Sequence, residues 1–340
     1  MTETVLEVRD LSVVFPTLDG EVRAVSNLSY TLHRGETLGI VGESGSGKSV
    51  SSLALMGLLN RDRARISGQA LLSGRDLLSL PGDEIRDIRG KDLAMIFQDP
   101  FACLHPMHRV GDQIAEAVTA HVKASKSEAN KRAVELLQAV GIPNAKSRAR
   151  DYPHQFSGGM RQRAMIAMAL VHNPSVLIAD EPTTALDVTV QAQILELIEK
   201  VKQEFNIGVI LITHDLGVMA ETAQTVLVMY AGRAMEYGPA SEIFGAPQNP
   251  YTWGLLGSMP TIERRLEKLV AIEGSPPSMV AVPSGCAFNP RCPYRFAPCT
   301  IDLPELAEIP GGHHDRCHLS PQSKREIWSA RVAERLGAAG

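Results

Sequence analysis

The sequence lacks a long apolar run, a basic leader segment and an excess of positive charge. Its apolar stretches, such as "GVILIT" and "TVLVMYAG", are far shorter than the ~20 residues that cross a bilayer, so we expect core strands there. The opening residues, "MTETVLEVRD", do not have the pattern of a secretory signal peptide. A net charge of -4 disfavours nucleic acid as a partner. We therefore expect a cytosolic chain that reaches a membrane only through partners.

Cysteine is scarce outside one C-terminal segment. Cys103 stands alone, and the other cysteines lie between residues 286 and 317 without a C-x₂-C pair. In a cytosolic chain such a cluster indicates a metal or reduced thiols before disulfides. Two interpretations are zinc, with a nearby histidine replacing a cysteine, and thiols packed as small hydrophobes. The cysteines of the cluster are Cys286, Cys292, Cys299 and Cys317, and the histidines are His313, His314 and His318.

The chain of 340 residues, 44% of them apolar, is long enough for one large domain or two. Apolar strands alternate with amphipathic helices, which favours an α/β fold around a mostly parallel sheet. Helical spacing over residues 110–141 predicts a helical subdomain at about residues 99–157, and a hairpin should turn near Ala231 and Gly232. After Pro250 proline, glycine and cysteine become dense. We therefore divide the chain into residues 1–250 and an extension, 251–340, with a small fold of its own.

A complete G-x-x-x-x-G-K-[ST] motif lies between the strand "ETLGIVG" and a helix that begins at Lys48. Glycines let successive backbone N–H groups point at phosphate oxygens, and the start of the helix adds a positive dipole. Lys48 should reach the β- and γ-phosphates of a nucleotide, and Ser49 should bind Mg²⁺. The motif residues are Gly42, Glu43, Ser44, Gly45, Ser46, Gly47, Lys48 and Ser49.

The strand "VLIAD" ends in two carboxylates, which is costly inside a protein unless they have partners or a function. Asp180 suits a Mg²⁺ ligand, and Glu181 suits the base that takes a proton from attacking water. His214 follows another strand and is a candidate γ-phosphate sensor, and Gln98 is a candidate contact to Mg²⁺ or water. Phe15 is a candidate for stacking on adenine, although it could equally be a core residue.

A second glycine turn, "FSGGM", lies far downstream at residues 156–160 and contains no lysine. Ser157, Gly158 and Gly159 lie at the start of a helix, which predicts an anion-binding nest.

Together these motifs resemble the ATP-binding subunits of ABC transporters. The resemblance covers Walker A at 42–49, the Q-loop at Gln98, the signature at 156–160, Walker B at 176–181, the D-loop "ALD" at 185–187 and the switch histidine at 214. It implies a P-loop NTPase (RecA-like) core with an antiparallel β subdomain and an inserted helical subdomain. It also implies an ATP site that includes Val50 and Asp187. Phe156 and Met160 depart from the commoner L-S-G-G-Q signature.

In that family two domains close head to tail, so that the signature of one chain contacts the ATP bound by the other. The resemblance therefore explains the lysine-free turn, because Ser157, Gly158 and Gly159 would serve the partner's nucleotide.

The segments "GIVGESGSGKSVSSLALMGLL" and "GCAFNPRCPYRFAPC" are similar to the dipeptide and oligopeptide importer group, which includes nickel importers. The group implies a second ATPase subunit, two permeases, an extracytoplasmic solute-binding protein and a place at the cytoplasmic face of the bacterial membrane. Some members of the group carry a 4Fe–4S cluster on C-terminal cysteines. In this chain the corresponding ligands would be Cys286, Cys292, Cys299 and Cys317. Two rival functions are a soluble ABC-type ATPase of DNA repair or translation and a non-catalytic scaffold. The single cassette, the short helical segment and the presence of Lys48 and Glu181 argue against both.

Overall fold

The computed structural model describes residues 3–99, 103–184, 186–258 and 272–337. It contains a four-stranded antiparallel sheet near the N-terminus, in the order β2-β1-β4-β5. Its strands are β1 (Thr4–Thr17), β2 (Gly20–His33), β4 (Arg65–Leu72) and β5 (Arg75–Asp76). Val5, Leu6, Val8, Leu11 and Val13 of β1 are buried, as the β-branched composition of this segment predicts.

A second sheet of eight strands forms the centre of the molecule, in the order β11-β12-β10-β9-β3-β8-β7-β6. Its strands are β3 (Thr37–Val41), β6 (Leu93–Ile96), β7 (Val176–Asp180), β8 (Gly208–Ile212), β9 (Thr225–Tyr230), β10 (Arg233–Pro239), β11 (Ala307–Ile309) and β12 (His313–Asp315). The five strands from β9 to β6 are parallel, whereas β10, β12 and β11 are antiparallel. The fold is therefore α/β with mixed sheets, and the expected parallel arrangement holds for one part of the central sheet.

The central strands explain why the core lies where it does. Every residue of β3, β7 and β8 is buried, and their sequences are nearly continuous apolar runs. Parallel strands with both faces covered need such sequences. Their carboxyl ends lie next to one another along one edge of the sheet, which is where ligands bind in open α/β folds.

Helices cover the sheet and form a helical segment between β6 and β7. Helix α1 begins at Lys48 as predicted and ends at Leu55, because Gly57 adopts a left-handed backbone (φ 61°). The predicted helical stretch 110–141 consists of two helices, and Gly141 (φ 77°) follows the end of the second. The helices before β7 are α1 (Lys48–Leu55), α2 (Gly82–Ile88), α3 (Val110–Thr119), α4 (Lys126–Ala139), α5 (Ala145–Arg148) and α6 (Gly158–Ala169).

The remaining helices are α7 (Val188–Phe205), α8 (Leu216–Thr222), α9 (Ala240–Gly245), α10 (Pro250–Gly257), α11 (Ala297–Ile301) and α12 (Pro321–Gly337). Among the described helices, none is both long and apolar enough to cross a membrane. The hairpin of β9 and β10 turns at Ala231 (φ 46°) and Gly232 (φ 78°), which confirms the predicted position.

The C-terminal segment is joined to the central sheet. β12 pairs with β10 through Glu236 opposite Asp315 and Tyr237 opposite His314, and β11 then pairs with β12. Ala287 and Phe288 belong to the same apolar cluster as the strands of the central sheet. The extension therefore shares the core of the preceding residues, and the boundary at residue 250 stays a prediction.

Candidate functional site

The loop between β3 and α1 is shaped by glycines that no other residue could replace. Gly42 has φ 151°, and a Cβ added there would lie 2.1 Å from the carbonyl oxygen of Met229. Gly47 has φ 101°, and its Cβ would lie 2.2 Å from the carbonyl oxygen of Ala24. The loop can therefore stay close to the neighbouring backbone while it curls toward the start of α1, as a phosphate-binding loop requires.

Lys48 is buried beside this loop and bonded to it. Its Nζ donates to the carbonyl oxygens of Gly42 at 2.7 Å and Glu43 at 3.0 Å. Burial lowers the pKa of Lys48, while the carboxylates of Glu181, Asp180 and Glu43 act in the opposite direction. A partly desolvated ammonium group with several acidic neighbours is well placed to exchange these carbonyl contacts for phosphate oxygens.

Ser49, in the first turn of α1, and Asp180, the last residue of β7, form a hydrogen-bonded pair of oxygen groups. The hydroxyl of Ser49 donates to Oδ1 of Asp180 at 3.1 Å. Asp180 is 5% exposed, and burial raises its pKa, which the hydrogen bond from Ser49 opposes. Hydroxyl and carboxylate oxygens are the ligands that Mg²⁺ prefers, so the pair fits the predicted metal ion.

Glu181 is held by two polar side chains. Its Oε2 accepts from Nε2 of Gln98 at 2.7 Å and from the hydroxyl of Thr184 at 2.9 Å. The backbone of Glu181 is left-handed (φ 47°), an unfavourable conformation for a residue with a Cβ, and its N–H bonds to the carbonyl of Ile212 at 2.8 Å. The structure thus brings Gln98 and Glu181 together. Sequence reasoning missed Thr184, although a threonine three residues after the glutamate was visible.

Comparison with known proteins identifies the family. The profile "ABC transporter" matches residues 25–184, and "Oligopeptide/dipeptide transporter, C-terminal region" matches residues 235–299. The oligopeptide transport ATP-binding protein OppD of Salmonella typhimurium is 53% identical over 90% of this chain and 91% of the relative. The dipeptide transport ATP-binding protein DppD of Lactococcus lactis is 51% identical over 98% of this chain and 96% of the relative.

The chain belongs to the oligopeptide and dipeptide transport ATP-binding proteins. It is an ABC-type ATPase. Among solved structures, the dimeric post-hydrolysis state of the ATP-binding cassette MJ0796, bound to ADP and Pi, matches with TM-score 0.62 and 26% identity. That match covers 69% of this chain and 98% of the other, so the cassette fold accounts for most of the described residues.

The signature turn of this ATPase begins α6. Ser157 is the N-cap, and its hydroxyl accepts from the N–H of Met160 at 3.3 Å. A Cβ on Gly159 would lie 2.7 Å from Val190, so this glycine is also needed for packing against α7. In the described residues, no hydrogen bond links Ser157, Gly158 or Gly159 to the phosphate loop of the same chain. That arrangement leaves the turn available to another ligand.

Both departures from the commoner signature have a packing reason. Phe156 is 3% exposed and lies in the apolar cluster that also contains Ala287 and Phe288. Met160 is partly buried and packs against the same cluster. The side chains of Phe156 and Met160 therefore anchor the turn to the apolar core. The polar centre of the signature, Ser157 to Gly159, is unchanged.

Other predicted site residues lie at the edges of the site. His214 is exposed, and its Nδ1 is 3.7 Å from Oε1 of Glu181. Asp187 caps α7 by accepting from Val190 N–H at 2.9 Å, and Ala185 of the same motif lies outside the described residues. Phe15 lies opposite Val22 in the β1–β2 hairpin and packs at the edge of the apolar cluster that contains the buried residues of β1 and β2. Val50 of α1 packs against the same cluster. The roles of these residues in binding nucleotide stay predictions.

The four C-terminal cysteines line one small cavity, but the expected iron–sulfur cluster is not supported. All are free thiols around a space of about 20 Å³. Burial raises the pKa of Cys286, of Cys292 to about 11 and of Cys317 to about 12, so these thiols are neutral near pH 7. Within the described ranges no three His, Cys, Asp or Glu side chains are placed to hold a metal ion. Cys286, Cys292, Cys299 and Cys317 thus fit a cluster in number and type of ligand, but not in their present spacing.

The positions of the three nearby histidines do not support the zinc alternative. His313 is buried and bonded to Glu236 at 2.7 Å, and His318 bonds to the carbonyl oxygen of Asp302 at 2.8 Å. His314 lies in β12 beside the ring of Tyr237. His313 and His318 already have hydrogen-bond partners, and within the described residues no group of three His, Cys, Asp or Glu side chains that includes His314 is placed to hold a metal ion. The structure therefore gives no support for a histidine that replaces a cysteine.

Proposed function

We propose that this ATPase powers the import of dipeptides or oligopeptides through a membrane complex. The observation that carries the proposal is the convergence of Lys48, Ser49, Asp180, Glu181 and Gln98 at adjacent strand ends, in a chain about half identical to peptide-transport subunits. Nickel or another small solute is the alternative cargo, because cargo recognition would lie in subunits other than this one.

In the proposed reaction, Glu181 takes a proton from water while the water oxygen attacks the γ-phosphorus. The bond from that phosphorus to the β–γ bridging oxygen breaks, which leaves ADP and phosphate. Lys48 and the loop N–H groups stabilise the charge on the phosphates, and Gln98 orients Glu181. Ser49 and Asp180 would hold Mg²⁺, which supplies additional charge stabilisation when it is bound. His214 would contact the γ-phosphate.

We infer that the active assembly is a head-to-tail dimer with a second, homologous ATPase subunit. The free signature turn at Ser157, Gly158 and Gly159 supports this arrangement, because backbone N–H groups at a helix start bind anions. Asp187 and Phe15 would complete the nucleotide site. Two permeases and an extracytoplasmic solute-binding protein would complete the importer, with this chain peripheral at the cytoplasmic membrane face and nucleic acid not involved.

An apolar groove of about 790 Å³ lies beside residues 98–115. Its lining includes Leu53, Met56, Phe97, Cys103 and Met168. We propose that a short cytoplasmic helix of a permease docks there, since amphipathic helices place their apolar faces in such grooves. Of the segment 98–115, residues 100–102 lie outside the described residues.

Reconstitution tests this function directly. The chain, its second ATPase subunit and two permeases in lipid vesicles should hydrolyse ATP faster when a peptide-loaded binding protein is added. They should also accumulate labelled peptide. If nickel, and not peptide, stimulates ATP hydrolysis, the cargo is nickel instead of peptide. A chain that hydrolyses ATP but never cross-links to the permeases from the groove would contradict the membrane role.

We also propose that the cysteine quartet, Cys286, Cys292, Cys299 and Cys317, binds a 4Fe–4S cluster when iron is available, on the basis of four free thiols around one cavity. Binding would require the thiols to lose their protons and to move from their present spacing. The expected result is that anaerobically purified protein is brown and holds about four iron atoms per chain. Cys299→Ser should lose this iron, whereas Cys103→Ser, remote from the cluster in sequence, should keep it. Colourless, iron-free wild-type protein leaves the quartet as packed thiols.

A further inference from the structure

One arginine of the C-terminal extension reaches the phosphate loop. The guanidinium of Arg291 donates to both carboxylate oxygens of Glu43, at 2.6 and 3.0 Å. The two residues are 248 positions apart in the sequence. The Arg291 side chain is 6% exposed and that of Glu43 is 25% exposed, so the pair is largely removed from water. A two-pronged contact of this kind fixes both charge and orientation.

An aromatic platform holds Arg291 in place. The rings of Tyr230, Tyr251 and Phe288 pack with centroids 4.6 to 5.4 Å apart. The guanidinium carbon of Arg291 lies 5.8 Å from the Tyr230 ring centroid and 6.0 Å from that of Phe288. Arg291 also donates to the Tyr230 hydroxyl at 3.2 Å and to backbone carbonyls of residues 272 and 273. The cation is therefore preorganised before it meets Glu43.

Every polar group of Glu43 is engaged. Its N–H donates to the hydroxyl of Tyr251 at 2.9 Å, its carbonyl oxygen accepts from Lys48, and its carboxylate is bound to Arg291. Glu43 is also one of the charges that act on Lys48. A carboxylate this close to the phosphate-binding lysine would compete for that lysine and repel a triphosphate if it were free.

We propose that Arg291 is a positioning residue for ATP: it neutralises Glu43 and holds it away from the phosphates. The extension thereby completes the nucleotide site of its own chain. The inference rests on the proposed ATP site. The role of Arg291 differs from that of a purely structural contact, because the effect of Arg291 on ATP binding depends on the carboxylate of Glu43.

The test is a double-mutant cycle on the full chain, with equilibrium binding of MgATP as the readout. Arg291→Gln should weaken binding ~10-fold because it leaves the Glu43 charge unpaired beside the phosphates. In the ATPase assay its KM should rise while kcat stays within ~2-fold, since Glu181 and its partners are unchanged. Arg291→Gln combined with Glu43→Gln should bind within ~3-fold of wild type, because the unpaired charge is gone.

Controls separate the possible failures. Arg295→Gln removes an exposed arginine from the same loop and should bind MgATP as wild type does. If Arg291→Gln does not fold, Arg291→Lys serves instead: it keeps the charge but loses the fork, and Glu43→Gln should again reduce its defect. A double variant as weak as Arg291→Gln, or an Arg295→Gln variant equally weak, overturns the inference. Wild-type protein that binds no MgATP defeats the proposed site itself, whereas normal binding by Arg291→Gln defeats only this role.

Discussion

Glu181→Gln should bind MgATP normally and hydrolyse it ~10²–10⁴-fold more slowly than wild type. The substitution keeps the shape of the side chain and an oxygen that can accept from Gln98 and Thr184. It removes the negative charge that can take a proton from water. Because nucleotide binding depends on Lys48 and the loop, affinity should stay unchanged while the chemical step fails. The closed dimer should then accumulate.

Single-turnover hydrolysis and sedimentation in MgATP, with the second ATPase subunit present, measure both effects. Glu196→Gln on α7 is the matched control, because Glu196 is exposed and is not one of the residues that form the site. It should hydrolyse ATP at the wild-type rate. Turnover close to wild type in Glu181→Gln would remove Glu181 from the role of base and leave Gln98 and Thr184 without a catalytic function to support.

The parts of the site that sequence could predict are those built from local rules. Apolar strands, glycines that need φ above zero and residues at strand ends sit close together along the chain, so their patterns are readable. This is why the loop at Gly42–Ser49, the strand before Asp180 and the turn at Ala231 and Gly232 could all be placed. Adjacent parallel strands then bring their ends together without further information.

The parts that sequence could not predict depend on contacts between distant segments. No local pattern indicates that β12 pairs with β10 or that Arg291 binds Glu43, because both depend on how the extension folds back. The presence of four cysteines in one short segment suggested a metal site, although their spacing has no C-x₂-C pair. In the described residues the thiols line a cavity without metal geometry. Spacing along the sequence predicts which cysteines lie near one another. The packing of Phe288 and its neighbours determines the distances between the cysteine sulfur atoms.

The attachment of the extension gives the second large expected effect. Lys324 of α12 forms a buried ion pair with Asp315 of β12, whose other carboxylate oxygen accepts from Asn249 at 2.9 Å. Lys324→Met should destabilise the chain by about 3–5 kcal/mol, because it leaves a charge buried without its partner. Lys131→Met is the control, since that lysine is 81% exposed, and it should change stability by less than about 1 kcal/mol. Urea denaturation of the full chain measures both.

The deficit of Lys324→Met should shrink as the pH falls. Burial raises the pKa of Asp315 to about 6 even with Lys324 present, and the lysine acts to lower it. Without the lysine the folded-state pKa rises further above the unfolded value of about 3.9, so folding favours the protonated form. Stability is then lost as the pH rises from about 4 through the folded pKa, and regained on acidification. Adding Asp315→Asn should restore most of the stability and abolish the extra pH dependence. A deficit equal at pH 5 and pH 8, or unrelieved by Asp315→Asn, would mean that lost packing of the lysine stem, and not a buried charge, is the cause.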